Sequence, residues 1–208
     1  MSNVRVFEHP VLQDALARLR DKNAKPAEFR RLMADAGLLL GLAALEDLKL
    51  ASVRIETPMK AAKAHRLGQP VSLVAILRAG LGLLPKLSEL LPDAVTGHIG
   101  LYRNEETLNP IRYYVRLPKE IAQSRVLLCD PMLATGGSAA EAIRILKTDG
   151  AKDIVLLSLL ATKTGIRKVH REHPDVRIVT AAVDPVLNSI GYIVPGLGDA
   201  GDRIFGTL

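Results

Sequence analysis

Four short apolar runs stand out in the chain: Val71 to Leu77 (VSLVAIL), Val126 to Cys129 (VLLC), Ile154 to Leu160 (IVLLSLL) and Val176 to Val183 (VRIVTAAV). Each has the length of a strand and almost no polar interruption, the pattern of a strand covered on both faces. Between them lie segments with helical spacing, Ser138 to Asp149 and Gly165 to His173, and Gly150 is placed to stop the first. Covered strands alternating with helices predict an α/β fold with a mostly parallel sheet flanked by helices. Ile111 to Leu117 (IRYYVRL) alternates more strictly and suits an edge or hairpin strand.

Ahead of this pattern, Leu12, Leu16 and Leu19 fall at i, i+4 and i+7, and Phe29, Leu32, Met33, Ala36 and Leu40 continue the period beyond Pro26. Two N-terminal helices are expected, the second opened by a proline whose missing N–H costs nothing there. Val53 to Thr57 alternates like a strand with one wet face. From Gly191 onward glycines are too frequent for a regular element, so a loop-rich cap is expected. Together these describe one domain over 1–208, with a helical N-terminal part at 1–50 and a hood at 184–208. Ligands of open parallel sheets sit beyond the carboxyl ends of the strands, so the loops beginning at Arg78, Asp130, Ala161 and Asp184 are where chemistry is expected.

Composition narrows the class. The 208 residues are 48% hydrophobic and 24% charged, as in soluble globular proteins. No apolar run is long enough to span a bilayer, and Met1 to Arg5 lacks the apolar stretch of a secretory signal. The single cysteine, Cys129, cannot pair within the chain, which fits a reducing cytoplasm; in its strand it reads as a small buried hydrophobe. The net charge of +6 allows either a nucleic-acid surface or a basic domain that holds a small polyanion. Scattered basic residues and only 3% aromatics favour the second. His170 and His173 are spaced i, i+3 without a third ligand in view, which reads as an exposed helix face rather than zinc.

The most informative stretch is VLLCDPMLATGGSAAEAIRIL, 126 to 146. A strand ends at Asp130, and Ala134-Thr135-Gly136-Gly137-Ser138 leads straight into a helix. Backbone N–H groups at such an entrance form a concave anion site, which the helix dipole reinforces. It is not a Walker A loop, since no lysine follows the glycines. Two readings remain open. Asp130 and the loop hold the hydroxyls and phosphate of a sugar phosphate, or Asp130 caps a turn while Thr135 and Ser138 cap the helix. A second glycine motif, Gly196-Leu197-Gly198-Asp199-Ala200-Gly201, has the G-x-G-x-x-G spacing, but too few residues follow it for a dinucleotide-binding βαβ unit.

The first loop resembles the phosphoribosyl diphosphate loop of type I phosphoribosyltransferases, although Pro131 stands where most of them carry a second acidic residue. DPMLATGGS, ILRAGLGLL (76–84), GLYRNEETLNP (100–110) and GYIVPGLGDAGDRIFGT (191–207) resemble, in the same order, the uracil phosphoribosyltransferases. That resemblance implies transfer of ribose 5-phosphate from phosphoribosyl diphosphate to N1 of uracil, giving UMP and diphosphate, in pyrimidine salvage. It implies that Arg78 and Arg103 neutralise the diphosphate, Arg103 from a closing loop, and that Asp130 holds ribose hydroxyls and favours the cationic sugar. Pro131, Met132, Leu133 and the Ala134 to Ser138 loop would surround the 5′-phosphate. Asp199 would hold a water or sugar hydroxyl, and Ile193, Gly198 and Ala200 would read uracil through backbone groups. Mg²⁺ is implied on substrate and water oxygens rather than in a protein cage. Dimers or tetramers and a GTP effector are implied as for relatives, with neither nucleic-acid nor membrane partners.

Read from the residues alone, Arg78 also suits a surface cation at a strand end, and Arg103 a solvated charge neutralised by Glu105 and Glu106. Thr162-Lys163-Thr164-Gly165 departs from the Pro-Glu-Gly usual in the resembled family. Rival functions are an RNA-binding regulator on the same fold and a transferase for another base.

Overall fold

The computed structural model describes residues 3–103 and 110–207, with the side chain of Arg103 outside that set. In chain order, β1 (Val4–Val6) leads into α1 (Pro10–Arg20) and α2 (Pro26–Leu45), and then into a hairpin of β2 (Leu50–Glu56) and β3 (Ala61–Leu67). Next come β4 (Val71–Leu77), a 3₁₀ turn (Ala79–Leu83), α3 (Leu84–Leu90), β5 (Val95–Arg103) and β6 (Pro110–Arg116). The remaining elements are β7 (Arg125–Cys129), β8 (Met132–Leu133), α4 (Gly137–Thr148), β9 (Asp153–Thr162), α5 (Lys163–Glu172), β10 (Arg177–Asp184), β11 (Val186–Leu187), β12 (Ile193–Val194) and α6 (Ala200–Phe205).

The main sheet runs β1-β10-β9-β7-β4-β5-β6, with β8 also paired to β9. Every pairing in it is parallel except β5 with β6, so the alternating IRYYVRL segment is indeed an antiparallel edge. Successive side chains of a strand face opposite sides, and the central strands use both. Leu73, Ala75, Leu127, Cys129, Val155 and Leu157 pack under α1, α2 and α3, with Leu12, Leu16, Phe29, Met33 and Leu40. Val74, Ile76, Val126, Leu128, Ile154 and Leu156 pack under α4 and α5, with Ala142, Ile143, Leu146 and Val169. Two apolar layers on one sheet explain why the strands read as continuous hydrophobic runs.

Four expectations are corrected. Val53 to Glu56 belongs to a strand largely exposed on both faces, because β2 pairs only with β3 and stands clear of the core. The N-terminal part is not wholly helical: β1 adds a parallel strand beside β10, with Val4 opposite Ile178. The C-terminal cap is loop-rich but holds β12, paired with β11, and the short helix α6. His173, expected on an exposed face, is buried, and its Nε2 lies 3.0 Å from the Ala140 carbonyl. Among the described residues no helix is long and apolar enough to cross a membrane.

Candidate active site

Because β4, β7, β9 and β10 run parallel, their carboxyl ends at Leu77, Cys129, Thr162 and Asp184 share one edge of the sheet. A cavity of about 270 Å³ opens there, walled by Arg78, Asp130, the 132–138 loop and Asp199. A second, of about 670 Å³, is walled by Ile193, Gly198, Asp199 and Ala200. Ala79, Met132, Ala134, Asp199 and Gly201 line both, so the two form one cleft with a sheet end and a hood end. The loop after β7 and the C-terminal segment, far apart in sequence, face each other across it.

The 130–138 loop is held from behind at each step. The Pro131 carbonyl accepts the N–H groups of Leu159 and Leu160 at 3.0 and 2.9 Å, tying the chain to β9. The Leu133 N–H donates to Ser158 Oγ at 3.1 Å, and that hydroxyl donates to the Leu160 carbonyl. Thr162 Oγ1, buried, donates to the Ala134 carbonyl at 2.6 Å and accepts the Gly165 N–H at 2.9 Å. Gly136 adopts φ +83° directly before α4, a conformation that disfavours a side chain. A Cβ there would also lie 2.7 Å from the Gly165 carbonyl, and one on Gly165 would lie 2.6 Å from the Leu133 carbonyl. The two glycines therefore let the loop rest against the start of α5. The Thr162-Lys163-Thr164-Gly165 segment, noted in sequence as a departure, is this prop.

Gly136 gives α4 no side-chain cap, and Gly137, Ser138 and Ala139 in its first turn line the cavity. Their amides, which lack helical acceptors, supply positive potential to an anion. Opposite stands Asp130. Burial pushes its carboxyl up to about 7, although the Met132 N–H bonded to it works the other way. The neighbouring Cys129 thiol is pushed up to about 12 by burial and by the Asp130 charge, so it stays a neutral core group.

Arg78 follows a cis Leu77–Arg78 peptide at the tip of β4. Its guanidinium leans toward α6, donating to Asp202 Oδ1 at 2.9 Å and lying 5.8 Å from the Phe205 ring centroid. It lines the sheet end of the cleft but is already paired. Asp199 caps α6, its Oδ1 accepting the Asp202 N–H at 2.9 Å, while Oδ2 accepts from the Tyr192 hydroxyl at 3.3 Å. Of the sequence-expected set, Arg78, Asp130, Met132 to Ser138, Asp199, Ile193, Gly198 and Ala200 thus border one cleft, with Pro131 behind it. The expectation for Arg103 rests on a side chain outside the described residues.

Sequence reasoning missed three charged groups. Asp202 holds Arg78, and Arg20 holds Asp184 beneath the hood. Asp184 lay at a predicted strand tip, a partial signal; Arg20, on α1, carried none, because nothing local says that a helix end will meet residues 164 and 176 positions away.

An acidic strand tip, a glycine helix entrance and a facing hood on a mostly parallel α/β sheet define the class of the type I phosphoribosyltransferases. An adenine phosphoribosyltransferase from Trypanosoma brucei, solved with AMP, pyrophosphate and ribose-5-phosphate, shares the fold at a TM-score of 0.59 and 15% identity, over 88% of this chain and 84% of that one. Within the class the chain belongs to the uracil phosphoribosyltransferase family, whose model matches residues 6–207. It is 50% identical to the uracil phosphoribosyltransferase of Brevibacillus brevis over the full length of both chains. A solved protein from Aquifex aeolicus superposes with a TM-score of 0.93 at 32% identity, over 97% of each chain.

Proposed function

We propose that the chain transfers the phosphoribosyl group of phosphoribosyl diphosphate to N1 of uracil, releasing UMP and diphosphate. The observation that carries this reading is the single cleft, with Asp130 and the glycine entrance at one end and the backbone of Ile193, Gly198 and Ala200 at the other.

In this reading the first-turn amides of α4, with Thr135 and Ser138, take the 5′-phosphate, and Arg78 takes the diphosphate once it leaves Asp202. Arg103 supplies the second cation. As the glycosidic bond breaks, positive charge grows on the sugar, and Asp130 stabilises it from the position of the ribose hydroxyls. The elevated carboxyl suits this role. In the empty cleft the charge is disfavoured, and sugar hydroxyls together with the developing cation restore it. Uracil offers an acceptor at O4 and a donor at N3, and cytosine reverses both. Fixed backbone groups that match uracil would be left unpaired against cytosine, a severe penalty in a closed site. The family resemblance argues against a purine.

The donor set of the cleft suits the implied magnesium ion. Asp130 and Asp199 offer hard carboxylate oxygens on the cleft wall. This fits a cation that takes most of its ligands from substrate and water. Asp130 and Asp199 would hold it, and it would neutralise diphosphate oxygens. The exposed hairpin, with Leu50, Ile55, Met59 and Leu67 on its surface, suits pairing with a second copy of the chain. Its lone thiol and basic charge fit a cytoplasmic enzyme of salvage.

The test is a panel of bases with phosphoribosyl diphosphate and Mg²⁺, followed by chromatography. UMP and diphosphate are expected with uracil, and no product with cytosine, hypoxanthine or guanine. Turnover of a purine without uracil would overturn the reading.

A further inference from the structure

The hood is anchored to α1 by a buried ionic contact outside the cleft. Asp184, at the end of β10, has a side chain only 6% exposed and Arg20 one 24% exposed. Arg20 Nη2 donates to Asp184 Oδ1 at 2.6 Å, and Nη1 donates to Asp184 Oδ2 at 2.8 Å. Nη1 also donates to the Gly196 carbonyl at 2.8 Å, and the Gly196 N–H donates back to Asp184 Oδ2 at 2.9 Å. Both backbone polar groups of Gly196 are thereby fixed. A Cβ on Gly196 would overlap the Ile193 carbonyl oxygen, so the fixed Gly196 backbone packs directly against that of Ile193.

A second guanidinium works on the same junction. Arg203 donates to the Leu19 and Asp21 carbonyls at the end of α1 and to the Leu197 carbonyl at 2.7 Å, with its face 4.3 Å from the Phe29 ring centroid. The last turn of α1 is thus the floor on which residues 196–198 lie. Bidentate guanidinium–carboxylate geometry suits such a floor because it fixes orientation as well as distance.

We propose that the Arg20–Asp184 pair is a positioning element for the base: it presets the Ile193–Ala200 backbone, and so governs recognition of uracil without touching it. This rests on the uracil-transfer reading above. Losing the pair should shift the hood by a fraction of an ångström to an ångström, a displacement that costs about ten- to a hundredfold in a preorganised site. The 130–138 loop is braced instead by β9 and α5, so phosphoribosyl diphosphate binding should suffer less than uracil binding, Asp199 being the group of the hood that borders both ends of the cleft.

The experiment compares Arg20→Met, Asp184→Leu and the double variant. The single changes leave a buried charge unpaired and should lower Tm; the double change removes both charges and should recover much of it. In the double variant KM for uracil is expected to rise at least tenfold, and several-fold more than KM for phosphoribosyl diphosphate, which the hood meets through Asp199. Amide hydrogen exchange is expected to accelerate across 193–200 and to stay unchanged across 130–138. A folded double variant with unaltered exchange and unaltered uracil KM overturns the proposal, as does an equal rise in both KM values. The exchange readout needs no turnover, so it tests the floor even if the wild type forms no UMP, an outcome that would refute the transfer reading instead.

Discussion

Asp130→Asn should make the ligand-free protein more stable at pH 8 while nearly abolishing its activity. Burial pushes the folded carboxyl up to about 7, against 3.8 for a free side chain. A raised pKa in an acid means the folded state binds more protons than the unfolded chain between those values. Stability from this group is therefore greatest below pH 3.8, falls as pH rises to 7 and is flat above. At about 1.4 kcal/mol per tenfold change in ionisation, the gap corresponds to at most ~4 kcal/mol. The cleft is open to water, which relaxes part of the burial penalty, so ~2 kcal/mol is the working figure.

The amide cannot ionise, and its oxygen can still accept the Met132 N–H. For a chain of this size, ~2 kcal/mol corresponds to a Tm rise of roughly 4–8 °C. The assay is thermal unfolding of both proteins across pH 4 to 9, beside UMP formation at pH 8. The Tm difference should open between pH 4 and 7 and stay constant above, with turnover reduced by about two orders of magnitude or more. A Tm difference independent of pH would refute the assigned cause of the shift. Wild-type turnover in the variant would refute the role of the carboxylate.

Thr162→Val removes the hydroxyl that joins Ala134 to Gly165, and should raise KM for phosphoribosyl diphosphate about tenfold with little change for uracil; Thr162→Ser should restore it in steady-state kinetics. Asp202→Asn frees Arg78 from an exposed pair worth under ~1 kcal/mol, so titration calorimetry should show phosphoribosyl diphosphate binding up to about fivefold tighter. Gly198→Val, at φ +80° on the cleft wall, should block uracil while leaving phosphoribosyl diphosphate binding intact by the same calorimetry.

The sheet was legible because two-sided burial leaves an unmistakable apolar run, and the 130–138 loop because acid, glycines and helix start fall within nine residues. The hairpin was half legible: alternation in Val53 to Thr57 is real, but periodicity cannot say whether the apolar face meets the core or solvent. β1 was missed because three residues, Val4–Val6, carry no period, and their pairing with β10 is visible only in three dimensions. The C-terminal helix was masked by glycines that serve the turn before it, while Asp199 supplies the cap that starts it. Arg20 and Arg203 were illegible for a different reason. A charged residue near a helix end is ordinarily solvated, and only long-range packing turns these two into anchors.

Without substrate, the charges of the cleft are matched internally rather than displayed. Arg78 is held by Asp202, Asp199 spends one oxygen on α6, and Asp130 is disfavoured as an anion. Arg78 pairs with the same short helix that Asp199 caps, so its withdrawal toward a diphosphate must loosen one contact of the hood. The anchors through Arg20 and Arg203 involve neither Arg78 nor the Asp202 carboxylate. Diphosphate binding can therefore exchange one exposed ion pair of α6 while the floor beneath residues 196–198 stays fixed. Under the proposed transfer reading, the 193–200 backbone then keeps its geometry when the sugar phosphate enters, so the base meets a preset site.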